Sequence, residues 1–127
     1  MNLHIKLLAY KGVQRLIDGF LKFDIFVSSR WPHLKKLNLS QCISDPSDIR
    51  TLSQGKFPSL TDLDLSKSCV RDDGVRLLVQ CIEQGSFPKL VKLNLEKTYI
   101  KSEDTIQALA RLTRLKSLNL AKNDFNG

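Results

Sequence analysis

The stretch Leu34-Lys-Lys-Leu37-Asn-Leu39 decides the fold, because the chain repeats its pattern three more times. The later copies are residues 60–65 (LTDLDL), 90–95 (LVKLNL) and 115–120 (LKSLNL), at intervals of 26, 30 and 25 residues. Three residues after its last leucine, each copy carries a small polar or thiol side chain: Cys42, Ser68, Thr98 and Asn123. Copies that recur with a period of about 20–50 residues indicate an architecture of stacked, similar units.

The Leu-x-Leu end of each copy has the alternation of a β-strand. Residues along a strand point to opposite faces, so Leu37 and Leu39 are expected to face the interior and Asn38 the solvent. One unit cannot bury its own leucines, but stacked units bury them by pairing strands about 4.8 Å apart into a parallel sheet. The small side chain at Cys42 and its equivalents lies where the chain turns, and is expected to satisfy buried backbone groups.

Between the strands, apolar residues recur with the period of a helix. Ser44 or Asp45 is expected to cap the first helix, and Asp72 or Asp73 to open the second. The second helix carries apolar side chains at i, i+3, i+4 and i+7, which are residues 75, 78, 79 and 82. Ser102 is expected to start a third helix. The pattern therefore predicts that strands and helices alternate along the chain, in an α/β fold.

The chain of 127 residues has the length of one domain. Residues 31–127 are interpreted as a single solenoid domain of repeats that start near 34, 60, 90 and 115. Residues 1–30 match the pattern weakly and are interpreted as a degenerate or N-terminal repeat, in which residues 23–30 form either a longer helix or a buried linker. Because the sequence stops part-way through a repeat, we expect a segment of a longer array, or self-association through uncapped ends.

This arrangement resembles the leucine-rich repeat family, in its longer-repeat subclasses. Residues 72–75 (DDGV) are similar to the turn-to-helix step of ribonuclease-inhibitor-like repeats, and residues 42–45 (CISD) and 69–72 (CVRD) resemble the cysteine-containing repeats of ubiquitin-ligase adaptors. The resemblance implies a right-handed solenoid with a parallel sheet on its concave face and helices on its convex face. It also implies that the commonest function of such a chain, binding to another protein, is the expected one here.

The outward strand positions form the candidate partner-binding face, where neighbouring rungs offer donors and acceptors together. Eight residues are predicted to bind the partner: Lys36, Asn38, Asp62, Asp64, Lys92, Asn94, Glu96 and Asn119. Ser40 and Ser66 share the outward row of Glu96. Interfaces are usually anchored by aromatic residues, and these rows contain none, so we expect modest affinity. The alternative is that these polar side chains only keep an exposed sheet soluble.

A second candidate surface lies one position further along, where Lys67, Lys97 and Lys122 form a basic rim. If the rungs lie about 5 Å apart, such a ladder attracts an acidic protein surface or phosphates. The alternative function is therefore an adaptor or regulatory segment that binds acidic proteins or nucleic acid through this rim. The simpler interpretation is that lysine is an ordinary solvated residue at a turn.

Charge and composition narrow the remaining classes of function. The net charge of +7 allows a nucleic-acid partner, but the sheet offers no aromatic platform for bases, so nucleic acid is disfavoured. The two histidines, His4 and His33, have no cysteine or carboxylate at a metal-like spacing, and no phosphate-cradling glycine loop occurs. These observations predict neither catalysis nor a metal or cofactor.

Cysteine use and hydropathy bear on the compartment. Three cysteines cannot all pair and none lies in a Cys-x-x-Cys motif, which favours a reducing, intracellular location in the cytoplasm or nucleus. No apolar run approaches the roughly 18–20 residues that cross a bilayer, so no membrane association is predicted.

Overall fold

The computed structural model describes residues 2–4 and 31–124, in which five short strands alternate with three helices. In chain order these are β1 (Asn2–His4), β2 (Lys36–Asn38), α1 (Ser47–Ser53), β3 (Asp62–Asp64), α2 (Arg71–Glu83), β4 (Lys92–Asn94), α3 (Glu103–Ala110) and β5 (Ser117–Asn119). The interpretation of residues 5–30, including the choice between a helix and a linker at 23–30, lies outside the described residues. The α/β class predicted from the repeat is confirmed.

The strands form one parallel sheet in the order β1-β2-β3-β4-β5. Its register places equivalent residues of successive copies opposite one another, so that Leu37 pairs with Leu63, Leu63 with Leu93, and Leu93 with Leu118. At the first strand, Leu3 lies opposite Leu37. From β2 to β5 each strand therefore extends the same column of leucines, and the predicted parallel pairing is confirmed for all five strands.

The core lies between the sheet and the helices and is built from these leucine columns. Leu37, Leu63 and Leu93 are each only 2% exposed, and each such side chain contributes roughly 1.5–3 kcal/mol by its burial. Leu118, their equivalent in β5, is 36% exposed. Within residues 2–4 and 31–124, β5 has a paired neighbour on one side only. Burial of each leucine therefore depends on the coil that follows it.

Two of the three helices begin where local sequence signals place them. At α1, Oδ2 of Asp45 accepts a hydrogen bond from the backbone N–H of Ser47 (2.9 Å). At α3, the Ser102 hydroxyl oxygen accepts one from the backbone N–H of Asp104 (3.1 Å). Both contacts satisfy an N–H that a helix start leaves without an intrahelical partner. The predicted cap at Ser102 is confirmed, and Asp45 makes a capping hydrogen bond at α1 although Pro46 is the residue directly before that helix.

The prediction that Asp72 or Asp73 opens the second helix is wrong. Helix α2 starts at Arg71, after Val70, and no side chain caps it. The backbone N–H of Arg71 instead donates to the carbonyl of Thr98 in the next turn (2.8 Å), so the neighbouring coil supplies a partner for the helix start. This leaves the Asp72 carboxylate available to the adjacent helix.

Candidate functional site

The outer face of the sheet brings together the residues predicted to bind a partner. In its first row, register places Asp62 between Lys36 and Lys92, with Ser117 next along. Strands in a sheet lie about 4.8 Å apart, so the charges alternate at that interval. Lys36 and Lys92 are exposed and Asp62 is half-buried. Opposite charges on neighbouring strands stabilise each other modestly, by about 0.2–1 kcal/mol, and the two lysines against one aspartate leave this row with one net positive charge.

The middle row of the face has a structural task that the sequence analysis did not anticipate. Its members each accept, at Oδ1, the backbone N–H two residues further on, over 2.9–3.0 Å. These four residues are Asn38, Asp64, Asn94 and Asn119. The contact satisfies a donor at the point where each strand ends. The signal was present in the sequence, since every copy has Asn or Asp at this position.

The rest of each side chain in the middle row is available to a partner. Across the described part of the chain, the side-chain amide nitrogens of Asn38, Asn94 and Asn119 make no hydrogen bond, and neither does Oδ2 of Asp64. An Asn side chain carries two N–H donors there, and a carboxylate carries only acceptors. The row therefore offers donors on three rungs and an acceptor on one.

The two rows line a shallow depression of about 350 Å³ that crosses β2 to β5. Of the eight predicted binding residues, seven contribute to it: Lys36, Asn38, Asp62, Asp64, Lys92, Asn94 and Asn119. Glu96 is not among its lining residues and is half-buried. The structure therefore brings seven of the eight predicted residues together around one recess that spans four strands.

The row that contains Glu96 differs from the expectation that it faces outward along the strand. Ser40 and Ser66 are buried, and the Ser66 hydroxyl donates to the Ser40 hydroxyl (3.1 Å). The strands end two residues earlier, at Asn38 and Asp64. The two serines therefore belong to the turn, where the chain has left the alternation of the strand, and they are not accessible to a partner.

The small side chains at the turn perform their predicted role. The Thr98 hydroxyl donates to the carbonyl of Leu95 (2.7 Å), and the Ser68 hydroxyl donates to that of Ser66 (3.1 Å). Asn123 accepts at Oδ1 from the backbone N–H groups of Thr98 and Ile100, both over 3.0 Å. These bonds satisfy buried backbone groups and join consecutive coils. The prediction that this position pairs with the turning backbone is confirmed.

Cys42 occupies the equivalent position in the first described turn, and its thiol is expected to be unreactive. Burial raises the pKa of its thiol to about 12, and the nearby negative charge of Asp64 adds to the effect. Because the thiolate is the reactive form, Cys42 stays a protonated core residue at neutral pH.

The basic rim follows the sheet, and Lys67, Lys97 and Lys122 all have left-handed backbone, with φ of 55°, 53° and 59°. Gln41 holds the equivalent position in the first described turn, at φ 65°. The backbone N–H of Lys67 donates to the carbonyl of Glu96 (2.8 Å), and that of Lys97 to the carbonyl of Ala121 (3.0 Å). Hydrogen bonds between neighbouring turns therefore place the three lysines in one column.

Asp72 was expected to open its own helix, α2, but its carboxylate contacts the start of the next helix. Its carboxylate accepts from the backbone N–H of Lys101 (3.1 Å), from that of Ser102 (3.0 Å), and from the Thr105 hydroxyl (2.7 Å). Burial raises the pKa of Asp72, but the hydrogen bonds from Thr105, Ser102 and Lys101 outweigh it, so the net pKa is lowered. Asp72 thus ties α2 to the start of α3.

Metal binding and membrane insertion find no support among residues 2–4 and 31–124. No group of three or more His, Cys, Asp or Glu side chains there is arranged to hold a metal ion. None of the described helices is both long and apolar enough to span a bilayer.

Comparison with known proteins identifies one unit of the repeat. A leucine-rich repeat family model matches residues 58–79. Residues 58–79 are therefore similar to a leucine-rich repeat. The matched stretch holds β3, the turn after it and most of α2, so it includes two residues of the depression, Asp62 and Asp64. Leucine-rich repeats generally mediate protein–protein interaction and are typically non-catalytic. No curated protein matches the chain.

Proposed function

We propose that this chain is a non-catalytic recognition module that binds another protein through the outer face of its sheet. The observation that carries the proposal is the depression across β2 to β5, where seven polar or charged side chains converge from four strands in register. Protein binding is the usual role of leucine-rich repeats, and the remaining donors and acceptors of the middle row are suited to it.

We further propose that the coils form a right-handed solenoid with this face on its concave side. Parallel strands joined by a helix are right-handed in about 98% of cases. Packed helices need about 8–10 Å between their axes, whereas paired strands need only about 4.8 Å. The spacing between successive coils is therefore wider on the helix side than on the sheet side, which makes the sheet face concave. In this proposal residues 31–127 form the solenoid, residues 1–30 an N-terminal repeat, and the turns are of the ribonuclease-inhibitor-like type.

The proposed partner presents a polar surface of mixed charge. Lys36, Asp62 and Lys92 alternate in sign, so they match a surface whose charges alternate at the same interval. No aromatic residue lines the depression, so binding relies on hydrogen bonds and charge complementarity, with modest affinity. An intracellular location belongs to the same proposal and is supported by Cys42, Cys69 and Cys81, which are all free thiols.

The test is an exchange of residues that changes the face and leaves its backbone contacts in place. In the double variant Asp64→Asn with Asn119→Asp, both positions keep the Oδ1 acceptor and the net charge is unchanged, but donor and acceptor trade rungs. The matched control exchanges a carboxylate and an amide on the exposed side of α3, by Glu103→Gln with Gln107→Glu. Wild type, face variant and control serve as bait for quantitative affinity capture from cell extract, followed by titration with the recovered partner.

We expect the wild type and the α3 control to capture the same partner and the face variant to lose at least tenfold in affinity, which corresponds to about 1.4 kcal/mol. All three proteins should melt within a few degrees of one another. If the face variant is folded and binds the partner as tightly as the wild type, the sheet face is not the binding site.

A further inference from the structure

The basic rim retains lysine at backbone positions that disfavour it. Lys67, Lys97 and Lys122 all lie at left-handed φ, where a residue other than glycine is destabilised by roughly 1–2 kcal/mol. Glycine or asparagine adopts this conformation more readily. Their side chains are also exposed and stacked on neighbouring turns, so that like charges repel. Gln41 has the same left-handed backbone at the equivalent position, so the conformation belongs to the turn, and the rim is distinguished by its three positive charges on neighbouring turns.

Beside the rim lies a recess of about 380 Å³, lined by Arg71, Asp72, Tyr99 and Lys101. Tyr99 is 53% exposed and follows Lys97 by two residues in the same turn. The hydrogen bond from the Arg71 N–H to the Thr98 carbonyl brings the Arg71 turn against the Tyr99 turn. An exposed tyrosine between cations offers an apolar ring and a polar hydroxyl at one point, a combination enriched at interfaces.

The charge of this surface is predominantly positive. It contains five cations: Lys67, Arg71, Lys97, Lys101 and Lys122. Among the described residues, the salt bridges are Arg76–Asp73 and Arg111–Glu83, so none of these five cations is in an ion pair. Of the nearby carboxylates, Asp72 is bound to three donors and Glu96 is half-buried, while Asp124 and Asp45, which lies near Arg71, are exposed. The carboxylates reduce the positive potential without cancelling it.

We infer that the basic rim and the Tyr99 recess together bind an acidic segment of a partner protein, separately from the sheet face. Side-chain carboxylates of that segment pair with Lys67, Lys97 and Lys122, and an apolar side chain of the segment packs on Tyr99. A single-stranded nucleic acid fits less well. Its binding relies on successive bases stacked on several aromatic side chains, and among the residues that the structure describes Tyr99 is the one exposed aromatic at this surface.

The equivalent residue Gln41 supplies the variant that tests this inference. Glutamine already occupies the turn at φ 65°, so the triple variant Lys67→Gln, Lys97→Gln, Lys122→Gln removes three charges from a backbone that accepts glutamine. The control removes three charges from exposed lysines that precede the strands: Lys56→Gln, Lys89→Gln and Lys116→Gln. The probes are a labelled Glu-rich peptide with one central Phe, the same peptide with Gln in place of Glu, and labelled poly-uridine, each followed by fluorescence anisotropy.

We expect the Glu-rich peptide to bind the wild type and the control triple variant alike, and to bind the rim triple variant roughly tenfold more weakly, since three exposed charge pairs are lost. Tyr99→Ala should weaken the same peptide severalfold, and binding should decline with added salt, which screens exposed charges. The Asp64→Asn, Asn119→Asp face variant should bind it as the wild type does, so this result is independent of the sheet-face proposal.

Three results would overturn the inference. Equal losses in the rim and control triple variants would show attraction to net charge alone. Tighter binding of poly-uridine than of the Glu-rich peptide would assign the rim to nucleic acid. An acidic segment is not the ligand if a folded wild type shows no measurable binding of the Glu-rich peptide. The same conclusion follows if the wild type binds the Gln peptide as tightly as the Glu-rich peptide.

Discussion

Replacement of Asp72 by alanine should cost about 2–3 kcal/mol of unfolding free energy, far more than its half-exposed position on α2 suggests. The variant leaves the fully buried Thr105 hydroxyl without its acceptor, which costs about 1–3 kcal/mol. It also removes the acceptor for the N–H groups of Lys101 and Ser102 at the start of α3, a loss of about 0.5–2 kcal/mol that water at the exposed Lys101 reduces.

Two further variants separate the hydrogen bonds from the charge. Asp72→Asn keeps Oδ1 for its donors and should cost less than about 1 kcal/mol. Asp73→Ala removes the neighbouring carboxylate, which among the described residues forms an exposed ion pair with Arg76 (2.8 Å), and should change stability by less than about 0.5 kcal/mol. The assay is urea unfolding followed by far-ultraviolet circular dichroism and by Trp31 fluorescence, whose transitions should coincide.

The pH dependence adds a second readout with a defined sign. The pKa of Asp72 is lowered in the folded state from its ordinary 3.8. The stabilisation is therefore present above about pH 3.8 and is lost as the pH falls through the folded-state pKa. The stability gap between wild type and Asp72→Asn should shrink across that range. An Asp72→Ala variant as stable as Asp73→Ala, or a gap that does not change in acid, would refute this account of how α2 and α3 are joined.

Three other predictions follow from burial and hydrogen bonding. Leu93→Ala should cost about 2–5 kcal/mol as a core cavity, and Leu118→Ala distinctly less because Leu118 is 36% exposed; equal losses in urea unfolding would contradict the leucine columns. Asn94→Ala should cost about 1 kcal/mol through loss of its bond to the Glu96 N–H, and Asn94→Asp should restore most of it, which thermal melts can check. Cys42 should resist alkylation in the native protein at pH 8 because its pKa is about 12; mass spectrometry that finds it labelled without unfolding would contradict its burial.

Much of the fold follows from short-range patterns. The Leu-x-Leu alternation predicted the strands and their parallel stacking, because burial of one face needs a period of two and a neighbour of the same kind. Asp45 and Ser102 were identified as caps because a cap bonds to an N–H only two residues away. The start of α2 was predicted wrongly from its sequence, because the N–H of Arg71 donates to the carbonyl of Thr98, 27 residues further along the chain.

By itself, the sequence determined the repeat, the leucine columns and the set of polar side chains on the sheet. Only the tertiary structure decided which of those polar atoms are already in use. Asn94 bonds its own strand end, Ser40 and Ser66 bond each other from successive coils, and Asp72 bonds the start of the next helix. A pattern of apolar residues repeats along the chain and can be recognised there. The hydrogen-bond partner of a polar atom depends on the distance and direction of groups that only folding brings together. That partner decides whether the atom stabilises the fold or is free to bind a ligand.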